Sequence, residues 1–172
     1  MGNLLFSPNG RIARNRFWQG MVILTVASVL VAAGAVMVGT LVSLFGYALI
    51  YPYICVYGKR LHDAGLTAWW VIGVWFGTVV FNFIISLFLT PIFMGEEELA
   101  IQEEMTERML GGDFAGMMEG AQILAAQLLP LTLFLTVLTN LVAAIVVGLL
   151  PTQPRENKHG PVPGNNAAGT FD

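Results

Sequence analysis

The chain alternates between long uncharged stretches and short polar segments. No charged residue lies between Arg16 and Lys59, between Asp63 and Glu96, or within residues 120–153. A helix needs about 20 mostly apolar residues to cross the hydrocarbon core of a bilayer. This pattern predicts an all-α, multi-pass membrane protein with four transmembrane helices. We place these helices near residues 17–37, 41–57, 68–92 and 128–150.

The first uncharged run, residues 19–58, is too long for one membrane helix and suits two. Gly39 permits a tight reversal between them. Basic residues flank the run on both sides, and such residues favour the cytoplasmic side of a membrane. The number of crossings between them is therefore even, and we expect both chain termini in the cytoplasm. Because the apolar run continues well beyond the small residues near Ala33, we expect an uncleaved first helix and not a signal peptide.

A glutamate-rich segment, residues 93–120, separates the third and fourth predicted helices. Within it, Ile101, Met105 and Met109 recur every four residues, which is the spacing of an amphipathic helix. The Gly-Gly-Asp sequence that follows should end this helix. Because basic residues are scarce here, we expect the segment on the periplasmic side. It either lies on the membrane surface or presents a methionine-rich face to a partner protein.

Composition supports the membrane class. Hydrophobic residues make up 56% of the chain and charged residues 11%, whereas soluble domains carry about 25% charged residues. The single cysteine, Cys55, excludes an intrachain disulfide. The sequence contains no HExxH, CxxC or phosphate-binding glycine motif. We therefore predict no catalytic, cofactor or metal site, no nucleic-acid partner and no enzymatic activity.

Residues 59–70, which we call the hinge, form a polar segment between the second and third predicted helices. The hinge contains most of the candidate interface residues: Lys59, Arg60, His62, Asp63, Trp69 and Trp70. Its cations can contact anionic lipid headgroups, and its tryptophans suit the membrane interface. Alternatively, Asp63 pairs with Arg11 or Arg14 and staples the N-terminal segment to the hinge.

His62 precedes Asp63 directly, but neighbouring residues on a helix point about 100° apart, so adjacency does not make them a catalytic pair. We expect His62 to be a structural residue that forms hydrogen bonds. A metal site with Asp63 and His159, or a role in acid–base chemistry, are the minor alternatives.

Asn82 and Asn140 are the main polar side chains deep within the third and fourth predicted helices. We expect a hydrogen bond between these two helices, from asparagine to asparagine or to backbone. No charged residue lies within the spans, which argues against a proton-coupled transporter or a pump. A second pattern, of small residues at helical spacing, predicts close helix packing, with self-association as the alternative. These small residues are Ser28, Ala32, Ala35 and Gly39.

Three motifs occur in order along the chain. Residues 10–18 begin with Gly-Arg and end with Phe-Trp, and residues 59–70 combine Lys-Arg-Leu-His-Asp with a later tryptophan pair. Residues 156–163 read Glu-Asn-Lys-His-Gly-Pro-Val-Pro and include Asn157 and Gly160. Together these motifs resemble those of the small bacterial inner-membrane proteins classed as DUF805, a domain of unknown function. The resemblance implies a multi-pass protein of the bacterial inner (plasma) membrane and no particular activity.

Two features depart from the family pattern. His159 stands where relatives usually have an aromatic residue, and the acidic residues 96–119 look like an insertion. We treat residues 1–150 as a single transmembrane domain. Residues 151–172 are rich in Pro, Gly and Asn, and we expect them to form a flexible cytoplasmic tail.

The leading functional hypothesis is a non-enzymatic accessory or scaffold subunit of a larger membrane assembly, with another membrane protein or a second copy as partner. The alternative is a lipid-binding or small-solute transport protein that uses the cytoplasmic basic cluster. A water-filled cavity that reaches Asn82 and Asn140 would favour the alternative.

Overall fold

The computed structural model describes residues 2–163, apart from the side chain of Thr40. Its helices are α1 (Gly2–Phe6), α2 (Arg14–Met37), α3 (Leu44–Asp63), α4 (Trp70–Phe93), α5 (Glu96–Leu110), α6 (Phe114–Gln127) and α7 (Leu129–Gly148), with a 3₁₀ helix, Thr40–Ser43, before α3. In this part of the chain, four helices are long and apolar enough to cross a membrane, namely α2, α3 with its 3₁₀ turn, α4 and α7. The prediction of an all-α protein with four such helices is confirmed.

The second span extends further than the sequence predicted. We expected it to end near residue 57, but α3 continues to Asp63, so the first half of the hinge is helical. The helix ends in a Schellman motif, in which the N–H of Leu66 donates to the carbonyl of Leu61 and the N–H of Gly65 to that of His62. Gly65 lies at φ 79°, a left-handed conformation that glycine adopts without steric cost.

The core lies at the hinge end of the bundle, where α2, α3 and α7 meet. Its buried residues are Phe17, Met21, Leu24, Val56, Tyr57, Leu61, Ala143, Ala144 and Val147. Glycines let the helices approach closely here. A methyl group on Gly148 would lie 3.0 Å from Trp18, and one on Gly20 would lie 3.0 Å from Val56. This end of the bundle therefore has no room for larger side chains at these two positions.

Helix α4 is packed quite differently, because none of its residues is buried. It contacts α7 along its length but touches α3 only lightly, and within residues 2–163 no Cα atom of α4 lies within 8 Å of α2. A space therefore remains between α4 and the α2–α3 pair.

The acidic segment forms two helices, α5 and α6, that pack against each other and connect α4 to α7. Asp113 begins α6, and its side chain accepts a hydrogen bond from the N–H of Gly116 at 2.9 Å. On the predicted amphipathic face, Ile101 and Met105 pack beside Gly120. Met109, by contrast, is 49% exposed, so the predicted face is only partly covered.

Candidate functional site

Asp63 is the centre of a buried polar cluster at the hinge. Arg11 donates to its Oδ1 from Nε at 3.1 Å and from Nη2 at 3.0 Å. Arg60 forms an ion pair with Oδ2, and the hydroxyl of Thr152 donates to the same oxygen at 2.7 Å. Of the two arginines that the sequence offered as partners, the structure thus places Arg11 on Asp63. The carboxylate is fully buried and is enclosed by three donors.

Arg60 and Lys59 use their remaining donors on backbone carbonyls. Arg60 donates to the carbonyls of Gly148, at 3.1 Å, and Leu150. The carbonyl of Gly148 is the last in α7 and that of Leu150 lies just beyond the helix. Neither has a partner within the helix, so a cation is favourable there. Lys59 donates to the carbonyls of Asn3 and Leu4, and it thereby fixes α1 against α3.

The first half of the tail is attached to the same cluster. The N–H of Gln153 donates to the carbonyl of Asp63 at 2.8 Å, and Arg11 donates to the carbonyls of Gln153, at 2.7 Å, and Arg155, at 2.8 Å. Asn157 donates to the carbonyl of His62 at 3.0 Å. Over residues 151–163, Asp63 and Arg11 thus supply hydrogen-bond partners for the backbone of the tail, which the sequence did not predict. The rest of the predicted flexible tail, residues 164–172, lies outside the described residues.

The imidazole rings of His62 and His159 stack with centroids 3.6 Å apart and planes 6° apart. The Nδ1 atom of His62 also contacts the carbonyl of Gly10 at 3.1 Å. Burial lowers the pKa of His159, and the nearby His62, Lys158 and Arg11 lower it further. Stacked rings direct their nitrogen atoms outward in parallel planes, so they do not converge on one ion. Among the described residues, no group of three or more His, Cys, Asp and Glu side chains is placed to hold a metal.

Gly160 completes the hinge cluster. Its backbone, at φ 128°, forms a tight turn with Asn157, and its carbonyl accepts a hydrogen bond from Arg11 at 3.4 Å. The structure thus brings together seven of the candidate residues: Arg11, Lys59, Arg60, His62, Asp63, Asn157 and Gly160. It leaves three others, Arg14, Trp69 and Trp70, at the surface.

A second site lies within the membrane-spanning region. A cavity of about 910 Å³ separates α4 from α2 and α3, with α7 as its fourth wall. Ala32 and Ala35 of α2 line it, so part of the predicted small-residue face borders the cavity. Trp69 and Tyr57 lie at its hinge end. Most of the wall is apolar.

Polar side chains gather halfway along the cavity. The hydroxyl of Tyr53 donates to Oδ1 of Asn140 at 2.7 Å, which makes Ser28 the donor to Tyr53 at 3.0 Å. Nδ2 of Asn82 donates to the hydroxyl of Thr139 at 3.1 Å. We call Ser28, Tyr53, Asn82, Thr139 and Asn140 the mid-span cluster. Its hydrogen bonds connect α2, α3, α4 and α7.

The structure has a hydrogen bond between α4 and α7, but Asn82 donates to the side chain of Thr139 and not to Asn140 or to backbone. Thr139 and Asn140 are neighbours on α7 and so point in different directions. Thr139 meets Asn82 of α4, whereas Asn140 meets Tyr53 of α3. The amide of Asn140 donates to the carbonyl of Thr136 within its own helix.

Neither Thr139 nor Tyr53 was a candidate from the sequence. Two signals could have revealed the cluster. Threonines precede Asn140 at intervals of four, at Thr132 and Thr136, and mark one polar side of α7. Tyr53 lies ten residues before the true end of α3 at Asp63, so its hydroxyl is well inside the span.

Comparison with known protein families agrees with the three motifs. The model of a family described as "Protein of unknown function (DUF805)" matches residues 5–161. The chain belongs to the DUF805 family. The match includes the N-terminal segment, the hinge and the tail, which are the three parts that meet at Asp63. No curated protein and no solved structure matches this DUF805 chain.

Proposed function

We propose that this DUF805 protein is a non-enzymatic membrane protein that binds a lipid in the cavity between α4 and the α2–α3 pair. The cavity carries the proposal: its volume of about 910 Å³ lies in the range of about 300–1,000 Å³ that is usual for ligand pockets. Its wall is mainly apolar and contains a few polar groups, as such pockets do. It also reaches both Asn82 and Asn140.

The chemistry of the wall favours an apolar occupant of this space, which is partly open at its side and is not an enclosed core cavity. Water is a poor filler, because each molecule needs two to four polar partners and the wall offers few. A membrane lipid is the apolar material at hand.

The loose packing of α4 provides an entrance from the membrane. Helix α4 has no buried residue and touches α3 only lightly. A chain from the surrounding bilayer can therefore enter sideways between α3 and α4 without first crossing water.

We place the protein in the bacterial inner membrane with both termini in the cytoplasm. Four basic side chains remain partly or fully exposed at the end where α2 begins and α7 ends, and these are Arg14, Arg16, Arg155 and Lys158. The acidic α5–α6 pair connects the opposite ends of α4 and α7. Positive residues favour the cytoplasmic side, which supports this orientation. The same four residues are the ones available to anionic headgroups.

A second candidate function is an accessory subunit of a membrane assembly, with another membrane protein as partner. The α5–α6 pair favours it, because its apolar side chains are uncovered. The exposed set is Leu99, Met109, Leu110, Phe114, Met118 and Ile123. Co-purification in a mild detergent tests this role; a monomer with no associated protein would count against it.

The lipid-binding proposal is tested by extracting the full-length protein in a mild detergent and measuring bound lipid by native mass spectrometry. Ala35→Phe places a large side chain into the cavity, whereas Ala48→Phe makes the same change at an exposed position of α3 outside it. We expect bound lipid in the native protein and in the Ala48 variant, and its loss from the Ala35 variant. Equal lipid content in both variants would reject the cavity as the binding site.

A further inference from the structure

The mid-span cluster carries an inference about which lipid the cavity takes. Resting on the lipid-binding function above, we propose that the cavity selects neutral long-chain lipids whose hydroxyl group hydrogen-bonds to Asn82 and Thr139. Such molecules include long-chain and isoprenoid alcohols and quinols. A phospholipid could place only an acyl chain here.

The first observation is the charge of the wall. No Asp, Glu, Lys, Arg or His lines the cavity. A charged headgroup that entered would lose its hydration without gaining a counter-ion, and this loss is prohibitive in a membrane interior. The polar end of the ligand must therefore be neutral.

The second observation is hydrogen-bonding capacity that the protein does not use. Asn82 makes one hydrogen bond, from Nδ2 to Thr139, which leaves its carboxamide oxygen and its second amide hydrogen without a partner in the described chain. The hydroxyl of Thr139 accepts this bond, and its own hydrogen has no acceptor there. Exchanging the nitrogen and oxygen of Asn82 would still leave one end of the amide free. The pair thus offers both a donor and an acceptor to a ligand.

The neighbouring polar groups contrast with this pair. Tyr53 donates to Asn140, Ser28 donates to Tyr53, and Thr78 donates to the carbonyl of Trp75 within its own helix. These residues also line the cavity, but their hydroxyl hydrogens are already used. Unused capacity is costly where no water is present. A hydrocarbon chain alone would leave it unused, whereas a hydroxyl group both donates and accepts.

The third observation is depth. Asn82 lies midway along the 24-residue helix α4, so the ligand's polar group would sit near the middle of the bilayer. Charged and zwitterionic headgroups stay at the membrane surface, because burying them in hydrocarbon is costly. A single neutral hydroxyl group can reach this depth at a cost that one or two hydrogen bonds to the protein offset.

The test uses two photoreactive probes of equal chain length, a diazirine-bearing fatty alcohol and its methyl ether, which lacks the hydroxyl donor. The full-length protein in phosphatidylcholine nanodiscs is irradiated with each probe, and labelled peptides are identified by mass spectrometry. We expect cavity-lining residues to be labelled about two- to tenfold more by the alcohol, the range that one hydrogen bond supplies. Competition by an unlabelled long-chain alcohol should reduce this labelling.

Three variants test which residues cause the preference for the alcohol. Asn82→Leu and, independently, Thr139→Val should remove the preference for the alcohol while both probes still label the cavity. Thr78→Val is the matched control. It removes a cavity hydroxyl one turn from Asn82 that is already bonded to its own helix, and the preference should persist.

The outcomes separate this inference from the proposed function. Equal labelling of the native cavity by both probes would overturn the selection of hydroxyl groups and leave lipid binding intact. Absence of labelling from the cavity by either probe would overturn both.

Discussion

The hinge end of the bundle and the cavity both contain polar groups, but the hydrogen bonds of the hinge are complete and those of the cavity are not. At the hinge, the carboxylate of Asp63 accepts hydrogen bonds from three side chains. The cations around it donate to carbonyls of α1, α7 and the tail. In the cavity, Asn82 and Thr139 share one bond and keep the rest of their capacity free. A polar cluster whose donors and acceptors are all hydrogen-bonded within the protein holds segments together. A polar cluster with unused donors and acceptors beside a cavity is suited to binding a ligand.

The largest expected effect is a loss of folding stability when the negative charge at the centre of the hinge is removed. Asp63→Asn leaves the guanidinium groups of Arg11 and Arg60 buried without a counter-ion. Removing one partner of a buried ion pair typically costs about 3–5 kcal/mol, and we expect that loss in thermal or denaturant unfolding in detergent. Glu104→Gln is the control, because it breaks the exposed Arg108–Glu104 pair and should change stability little. Equal stability of the two variants would contradict a structural role for the hinge cluster.

A second comparison places a valine at each of the two regions. Gly148→Val forces methyl groups against Trp18 and Phe17, which leave no room. Overpacking of this kind costs about 1–3 kcal/mol. Ala32→Val adds methyl groups beside the cavity and should leave the unfolding midpoint nearly unchanged. If the Ala32 variant loses as much stability as the Gly148 variant, the cavity is closed in the folded protein.

A smaller effect is expected from the tail. Asn157→Ala removes the hydrogen bonds from Nδ2 to the carbonyl of His62 and to the side chain of Gln153. One net hydrogen bond contributes about 1 kcal/mol, so residues 151–163 should detach more often and be cleaved faster by a protease. Glu156→Ala, at an exposed neighbouring position, is the control. Unchanged cleavage in the Asn157 variant would show that the contacts of the tail with Arg11 and Asp63 are sufficient to hold it.

The smallest effect is a dependence of tail attachment on pH. The pKa of His159 is lowered when the tail is attached, so the detached state binds the proton more tightly. Attachment is therefore at full strength above the ordinary histidine pKa of about 6.5, and it weakens as the pH falls below that value towards the lowered pKa. His159→Phe keeps a ring against His62 and should reduce this dependence. Protease cleavage of the tail between pH 5 and pH 8 measures it, and an identical profile in the variant would exclude His159 as its source.

The pattern of apolar residues was sufficient to predict the helices, because each helix depends mainly on its own segment of sequence. Runs of apolar residues longer than a membrane span predict helices whatever their neighbours are, and the four span-length helices and the motifs of the DUF805 family were readable in this way. The end of α3 was harder to place. Lys59, Arg60 and Asp63 resemble a loop in sequence, yet they remain helical because distant segments supply their partners.

Tertiary structure alone decided which polar groups are satisfied and where space remains. The sequence offered Arg11 and Arg14 equally to Asp63, and it offered Asn82 either Asn140 or a backbone group. The choice of Arg11 and of Thr139 depends on the rotation and separation of helices far apart in the chain, which no local pattern encodes. The cavity, too, depends on how the helices are arranged. The small residues of α2 predict close packing, but α4 lies away from them. Membrane class and helix count are thus properties of single segments, whereas the complete hinge cluster and the open mid-span cluster are properties of how those segments meet.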